Sequence, residues 1–301
     1  MKKYDLQIIA NLMAGKGEAK KKLEDLKDFL KKNKKTYLCL EVKEPTPISQ
    51  IPEDGKVHLK SGVICIGGDG TVSETVGYVL NNNINLPIAI IPTGTANIIA
   101  NSLNLTGQTE GFELLLGDRV QEIDIGVAEY GEEKDYFLLG LGLGFEEKFL
   151  KLAKEKVKSK LGVLSYFLAA IAELLSLRSI SLKIENSEVQ IKTQVCLLTV
   201  LNLHPKIFKL FPLSEHKDIN GSDGRLNLFF VEYKNYFYSL LGTLLFHVFG
   251  GMDFGLVKRY SGESFFIQSP QVVGTQLDGE LRAPLPVKLS VNKQKGKFFI
   301  P

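Results

Sequence analysis

The chain has few cysteines, no uninterrupted apolar run of clear membrane-spanning length, and almost no excess of either charge over its 301 residues. Each shortage excludes something. Cys39, Cys65 and Cys196 are odd in number, far apart and set in apolar runs, where a thiol serves as a small hydrophobe. A disulfide framework is excluded, and a reducing, cytoplasmic setting is expected. A net charge of +3 is too small for a nucleic-acid binder, although lysines gather at Lys20–Lys22, Lys31–Lys35 and Lys148–Lys160. Leu23, Leu26 and Leu30 have helical spacing, which turns the lysines between them to solvent. The other use of such runs is an anionic membrane surface, at roughly 1 kcal/mol per basic residue. Met1–Ala10 lacks the apolar core and cleavage site of a secretory signal and reads as a first strand. Leu161–Leu177 and Tyr236–Met252 are the apolar extremes, near or just under span length. Gly242, His247 and Gly250–Gly251 interrupt the second, so buried or amphipathic helices and peripheral rather than integral membrane contact are expected. Neither a serine nucleophile elbow nor zinc-ligand spacing is present, and no repeat or low-complexity tract is visible.

What remains is ordinary globular composition, 44% apolar and 24% charged, in a chain whose length predicts two domains. From Leu6 to Asp124, strand-length apolar runs (Leu6–Ala10, Tyr37–Val42, Val63–Ile66, Leu86–Ile91) alternate with helical patterns near 17–33, 72–82 and 96–103. That alternation predicts a parallel sheet with crossover helices over 1–125. Beyond it, helices are expected over 145–177, followed by many short strands. These include Ser181–Ile184, Val189–Thr193, Val195–Leu203, Leu226–Val231, Ser264–Gln268 and Val287–Val291. Residues 126–301 therefore read as a mainly antiparallel sandwich or barrel, with the last strand free to return to the first domain.

Glycine loops follow the early strands. Gly67-Gly68-Asp69-Gly70-Thr71 stands between an apolar strand and a helix, where paired glycines let backbone approach a phosphate and the helix start offers free N–H groups. Asp69 would be repelled by phosphates unless it meets a cation or a proton donor, and magnesium meets that need. Thr71 and Glu74 have the spacing of a capping box, with Glu74 also within the nucleotide loop region. Pro92-Thr93-Gly94-Thr95-Ala96-Asn97 repeats the strand–loop–helix arrangement, and Asn11-Leu12-Met13-Ala14-Gly15-Lys16-Gly17 follows the first strand. Three polar glycine-bearing loops at strand ends predict a nucleotide site.

With these motifs the chain resembles the diacylglycerol kinase catalytic domain family, which includes bacterial diacylglycerol and other lipid kinases and the sphingosine and ceramide kinases. The resemblance continues at Asp124-Ile125-Gly126, Gly144-Phe145, Asp223-Gly224-Arg225-Leu226 and Asp278-Gly279-Glu280. It implies an α/β domain similar to phosphofructokinase and NAD kinase, followed by a mainly antiparallel β-sandwich domain that accepts the lipid. It implies transfer of the ATP γ-phosphate to a lipid hydroxyl with Mg2+. The implied nucleotide residues are Asn11, Gly15, Lys16, Gly67 to Thr71, Glu74, Thr93 to Thr95, Asn97 and Asp278. Magnesium falls to Asp69 with Asp124, and a further ion to the Asp223 loop. Glu280, reaching back across the cleft, is the implied base. The implied partners are a lipid substrate and the membrane surface, with a homodimer as an option and no nucleic acid.

Two departures stand out: Leu12 and Ala14 replace a proline and a hydroxyl in the first loop, and Ile98 stands where many bacterial members have aspartate. They keep open a catalytically silent lipid- or nucleotide-binding regulatory protein on the same fold, beside the remoter option of an NAD kinase. Nothing in the residues identifies which lipid is accepted.

Overall fold

The alternation of apolar residues in the first strand decides which helix covers which face of its sheet. In β1 (Lys3–Asn11), Leu6, Ile8 and Ala10 form one cluster with Leu23, Leu26 and Leu30 of α1 (Glu18–Lys32) and with Ile64 and Ile66 of β3 (His58–Gly67). The intervening side chains point the other way: Gln7 Nε2 donates to the Tyr78 hydroxyl of α2 (Asp69–Asn81) at 3.0 Å. Cys65 of β3 meets Thr75 of the same helix. Helices on both faces and a period of two within each strand make a doubly covered parallel sheet.

The structure, a computed structural model, describes residues 3–42, 58–105, 112, 115, 117, 119–144, 176–206, 219–249 and 255–300. The first sheet runs β2-β1-β3-β4-β17-β5, adding β2 (Tyr37–Val42), β4 (Ile88–Pro92), β17 (Gly296–Phe299) and β5 (Val120–Ile123). Its strands are parallel except for β5, which runs antiparallel to β17. Chain order reverses at β1, which lies between β2 and β3, and this switch opens a crevice beyond their carboxyl ends.

Among the described residues the second sheet has eleven strands, antiparallel throughout their pairings. It comprises β6 (Gly126–Tyr130), β7 (Glu133–Phe137), β8 (Gly140–Gly144), β9 (Ile180–Glu185), β10 (Gln190–Leu201), β11 (Leu226–Glu232), β12 (Val257–Gly262), β13 (Ser264–Gln268), β14 (Thr275–Leu277), β15 (Glu280–Arg282) and β16 (Val287–Val291). It curls as a half-barrel or sandwich around a core that includes Leu141, Leu143, Leu198, Leu228, Phe230, Phe265 and Leu289. The strands expected over 189–193 and 195–203 are one twelve-residue strand, β10. Gln194 is no break, because the exposed half of β10 alternates while its second half is buried on both faces.

By contacts the chain divides into two units. One is Met1–Ile125 with Pro205–Ile207 and Lys293–Pro301; the other is Gly126–His204 with Phe208–Asn292. On the second unit's sheet lies α4 (Tyr236–Phe249), and a short α3 (Ile98–Ser102) follows β4 in the first. The helices expected over 145–177 lie, as far as residue 175, outside the described residues. Among the described residues, no helix is long and apolar enough to cross a membrane.

Candidate functional site

The loops at the carboxyl ends of β1, β3 and β4 meet in the first unit. Thr93 N–H donates to the Gly67 carbonyl at 2.9 Å, joining the β4 loop to the β3 loop. Gly68 and Gly94 approach so closely that a Cβ on Gly94 would stand 2.7 Å from the Gly68 Cα. Gly15, with φ +67°, lies against Thr93, whose carbonyl oxygen would be 2.3 Å from an added Cβ. Asn11 completes the junction by donating from Nδ2 to Thr71 Oγ1 at 3.1 Å, while its Oδ1 accepts from Met13 N–H. Lys16 lies in the 3-10 turn Ala14–Gly17 beside this junction.

Asn97 shapes the β4 loop. It adopts left-handed backbone angles (φ 47°, ψ 43°), which asparagine tolerates better than a β-branched residue. Its Oδ1 accepts from Gly94 N–H and its Nδ2 donates to Gly94 C=O, both at 2.8 Å. Thr95 is exposed at the tip. Thr93 is different: it is 1% exposed, and its hydroxyl has no hydrogen-bond partner. Leaving a buried hydroxyl unpaired costs roughly 1–3 kcal/mol, so such a group at a loop junction marks a place where a ligand oxygen would fit.

Asp69 is the first residue of α2, and Gly70 and Thr71 complete the helix's opening. The capping-box expectation needs correction. The N-cap is Gly68 and makes no side-chain cap; Thr71 lies buried inside the first turn, and Glu74 is an exposed helical residue. The glycine pair starts the helix earlier than threonine spacing suggested. Asp69 Oδ1 accepts from Ile99 N–H of α3 at 2.8 Å, which satisfies a helix-terminal donor from a distant position. One oxygen of the Asp69 carboxylate is thus engaged by a backbone amide. Ile98, immediately before, is partly buried.

A residue that the motifs did not reveal is Lys22. Its ammonium donates to the Pro92 carbonyl at 3.0 Å and pairs with Glu18 at 3.1 Å, so a half-buried cation of α1 sits against the β4 loop. Its spacing from Glu18 was the available signal.

The other expected residues belong to other elements. Asp124, 1% exposed at the end of β5, is ion-paired with Lys295 at 3.1 Å. In the second unit, Asp223 is exposed in a turn where its Oδ1 accepts from Arg225 N–H, a local Asx arrangement. Asp278, at φ +49°, accepts from three backbone donors: Leu138 N–H at 2.7 Å, Leu139 N–H at 2.8 Å and Gly140 N–H at 3.0 Å. Glu280 opens β15 and is exposed. Among the described residues, no three His, Cys, Asp or Glu side chains gather as a metal cluster.

An α/β unit with glycine loops at its switch point and a separate antiparallel unit define a two-part fold with known counterparts. The chain is similar to a solved structure described as a putative diacylglycerol kinase from Bacillus anthracis str. Sterne. The TM-score is 0.75 at 24% identity, covering 99% of this chain and 98% of the other. An NAD kinase from Archaeoglobus fulgidus in complex with ATP shares the fold more distantly, with a TM-score of 0.50 and 10% identity over 98% of this chain and 93% of the other.

Residues 5–128 match the family model of the diacylglycerol kinase catalytic domain. Among curated relatives, "Putative lipid kinase SH2167" of Staphylococcus haemolyticus is 27% identical over 238 residues, covering 76% of this chain and 73% of the relative. A protein of Staphylococcus carnosus named "Putative lipid kinase" is 25% identical, with coverages of 78% and 75%.

Proposed function

We propose that this protein transfers the γ-phosphate of ATP to a lipid hydroxyl with the help of Mg2+. The observation that carries the reading is the junction of three glycine loops around the unpaired Thr93 hydroxyl. The residues fit a bound triphosphate: glycine at 68 and 94 lets the β3 and β4 loops come together at one point, and the α2 N-terminus beside them favours negative charge. Thr93 supplies an uncommitted hydroxyl, and Lys22 a cation held at the β4 loop. Magnesium is commonly held by one or two carboxylates together with substrate phosphates, and Asp69 Oδ2 fits that arrangement without a cluster of acidic side chains. When bound, the ion neutralises phosphate charge; the protein's share is positioning and fixed dipoles. Glu280 is assigned, on family resemblance, the proton of the lipid hydroxyl as the new O–P bond forms. Attachment to membranes is peripheral.

Incubating the purified protein with ATP and a lipid panel, and identifying phosphorylated lipids by mass spectrometry, tests the reading and names the acceptor. The silent alternative draws on Ile98 and on the Ile99 N–H that already occupies Asp69 Oδ1. ATP or lipid binding by folded protein with no phosphorylated product would establish that alternative instead.

A further inference from the structure

We propose that the outward face of α4 is the surface by which this protein docks on a lipid bilayer. The polarity of α4 is reversed. Its packed side carries Ser239 and Thr243, both 0% exposed, along with Gly242 and Phe246, against Cys196, Phe229 and Val231. The small hydroxyls are accommodated there: Ser239 Oγ donates to the Asn235 carbonyl at 2.7 Å, and Thr243 Oγ1 lies 3.5 Å from Cys196 Sγ. The opposite side presents Phe237, Leu241 and Leu244, which are 79%, 49% and 44% exposed. Their spacing of four and three residues puts them on one stripe. A helix facing water shows the opposite arrangement, with its polar stripe outward. No Lys, Arg, Asp or Glu occurs from Tyr236 to Met252.

The flanking chemistry selects the occupant. Lys234 precedes the helix, is largely exposed, and holds its ammonium 4.7 Å from the centre of the Tyr238 ring, with Glu232 no closer than 3.9 Å. Tyr236 and Tyr238, both partly exposed, stand beside Phe237. An aliphatic and aromatic stripe bordered by tyrosines and one cation suits the boundary between acyl chains and headgroups. With 14 residues, α4 is about 21 Å long, short of the ~30 Å hydrocarbon core, so it lies along the surface rather than through it. The remaining exposed large apolar side chains among the described residues, Met13, Val120, Phe266, Val272 and Leu281, come from separate elements and form no comparable stripe.

The inference deepens the lipid-kinase reading, whose acceptor resides in a bilayer, but its observations are separate from the nucleotide loops. The test is co-sedimentation of the full chain, without ATP, with phosphatidylcholine vesicles lacking or containing phosphatidylglycerol. Replacing both Phe237 and Leu241 by Ser should weaken binding by at least about tenfold per side chain. Lys234→Ala should cost about fivefold or less, and only on the anionic vesicles. Because the chain has no tryptophan, Phe237→Trp provides a single reporter that keeps the apolar surface, and its emission should shift to the blue when vesicles are added. Failure of the wild-type protein to bind either vesicle, wild-type binding by the double variant, or unchanged emission during binding would overturn the proposal. A vesicle-free dimer dissociated by the double variant, with vesicle binding unaffected, would assign the stripe to a second copy and overturn it too. Phosphorylation of detergent-solubilised lipid separates the two readings. If it persists while the double variant binds vesicles normally, only the docking surface fails. If no lipid is phosphorylated yet α4 governs vesicle binding, only the kinase reading fails.

Discussion

Asp69 in the first unit and Asp278 in the second are both aspartates beside glycines at a turn, and both accept backbone N–H groups. Asp278 accepts three of them, which ties the β14–β15 turn to the segment entering β8. Asp69 accepts one, from a neighbouring helix. The same contrast extends to nearby hydroxyls. Thr275 donates to the Ala283 carbonyl at 2.8 Å and so accepts the Tyr130 proton at 2.9 Å, whereas Thr93 is buried with nothing to bond. Asp278 and Thr275 close turns of the second unit, while Asp69 and Thr93 at the first unit's switch point make fewer bonds. Recurrence of a motif such as aspartate-glycine therefore says little until its partners are counted.

The largest expected effect would sharpen this contrast in the second unit itself. Glu280→Gln should lower single-turnover phosphorylation by about 10²–10⁴-fold with little change in ATP affinity, the range of a general base. Near-wild-type turnover would leave Glu280 an exposed strand residue and the second unit without a chemical group. Next, Asp69→Asn keeps an oxygen for Ile99 N–H but loses the charge, so turnover should fall by about 10²–10³-fold while ATP binding by calorimetry and thermal stability hardly move. Full activity would remove the magnesium argument. Asp278→Ala should do the reverse: urea unfolding should show a loss of about 3 kcal/mol, since charge-assisted bonds contribute about 1.5–3 kcal/mol each and water replaces part of them. A stable Asp278→Ala protein unable to bind ATP would break the comparison.

The smallest effect concerns Tyr130, whose hydroxyl is pushed up to about 12 by burial. The unfolded chain releases this proton near pH 10. The raised folded value means that the contribution is complete below pH 10 and is lost as pH rises towards 12. Urea stability followed from pH 9 to 12 should fall less steeply in Tyr130→Phe than in the wild-type chain.

The first sheet was legible because its signals are local: apolar runs, helical spacing and glycine loops occur together at 6–10, 63–71 and 88–97. The three glycine loops were legible for the same reason. The capping box expected at Thr71 and Glu74 is absent because a capping box and an early glycine-started helix share residue types. Lys22 was missed because its partner, the Pro92 carbonyl, is seventy positions away. Short strands such as β14 and β15 escaped notice since three residues carry too little alternation to distinguish a strand from a turn. The three donors to Asp278 were not legible, because they come from residues 138–140, which the antiparallel pairing of β8 and β14 brings near.

Strand β17 sets an order of events during synthesis. It lies between β4 and β5, and among the described residues β5 has no other partner in the first sheet. A ribosome therefore releases all the residues of the nucleotide loops, and then the whole second unit, before the strand that completes the first sheet emerges. Until then β4 has an open edge and β5 is unanchored, the kind of exposed edge that recruits neighbouring chains. Nascent protein would pass through a stage in which the later unit is able to fold first, and the first unit becomes whole only after residues 296–299 leave the exit tunnel.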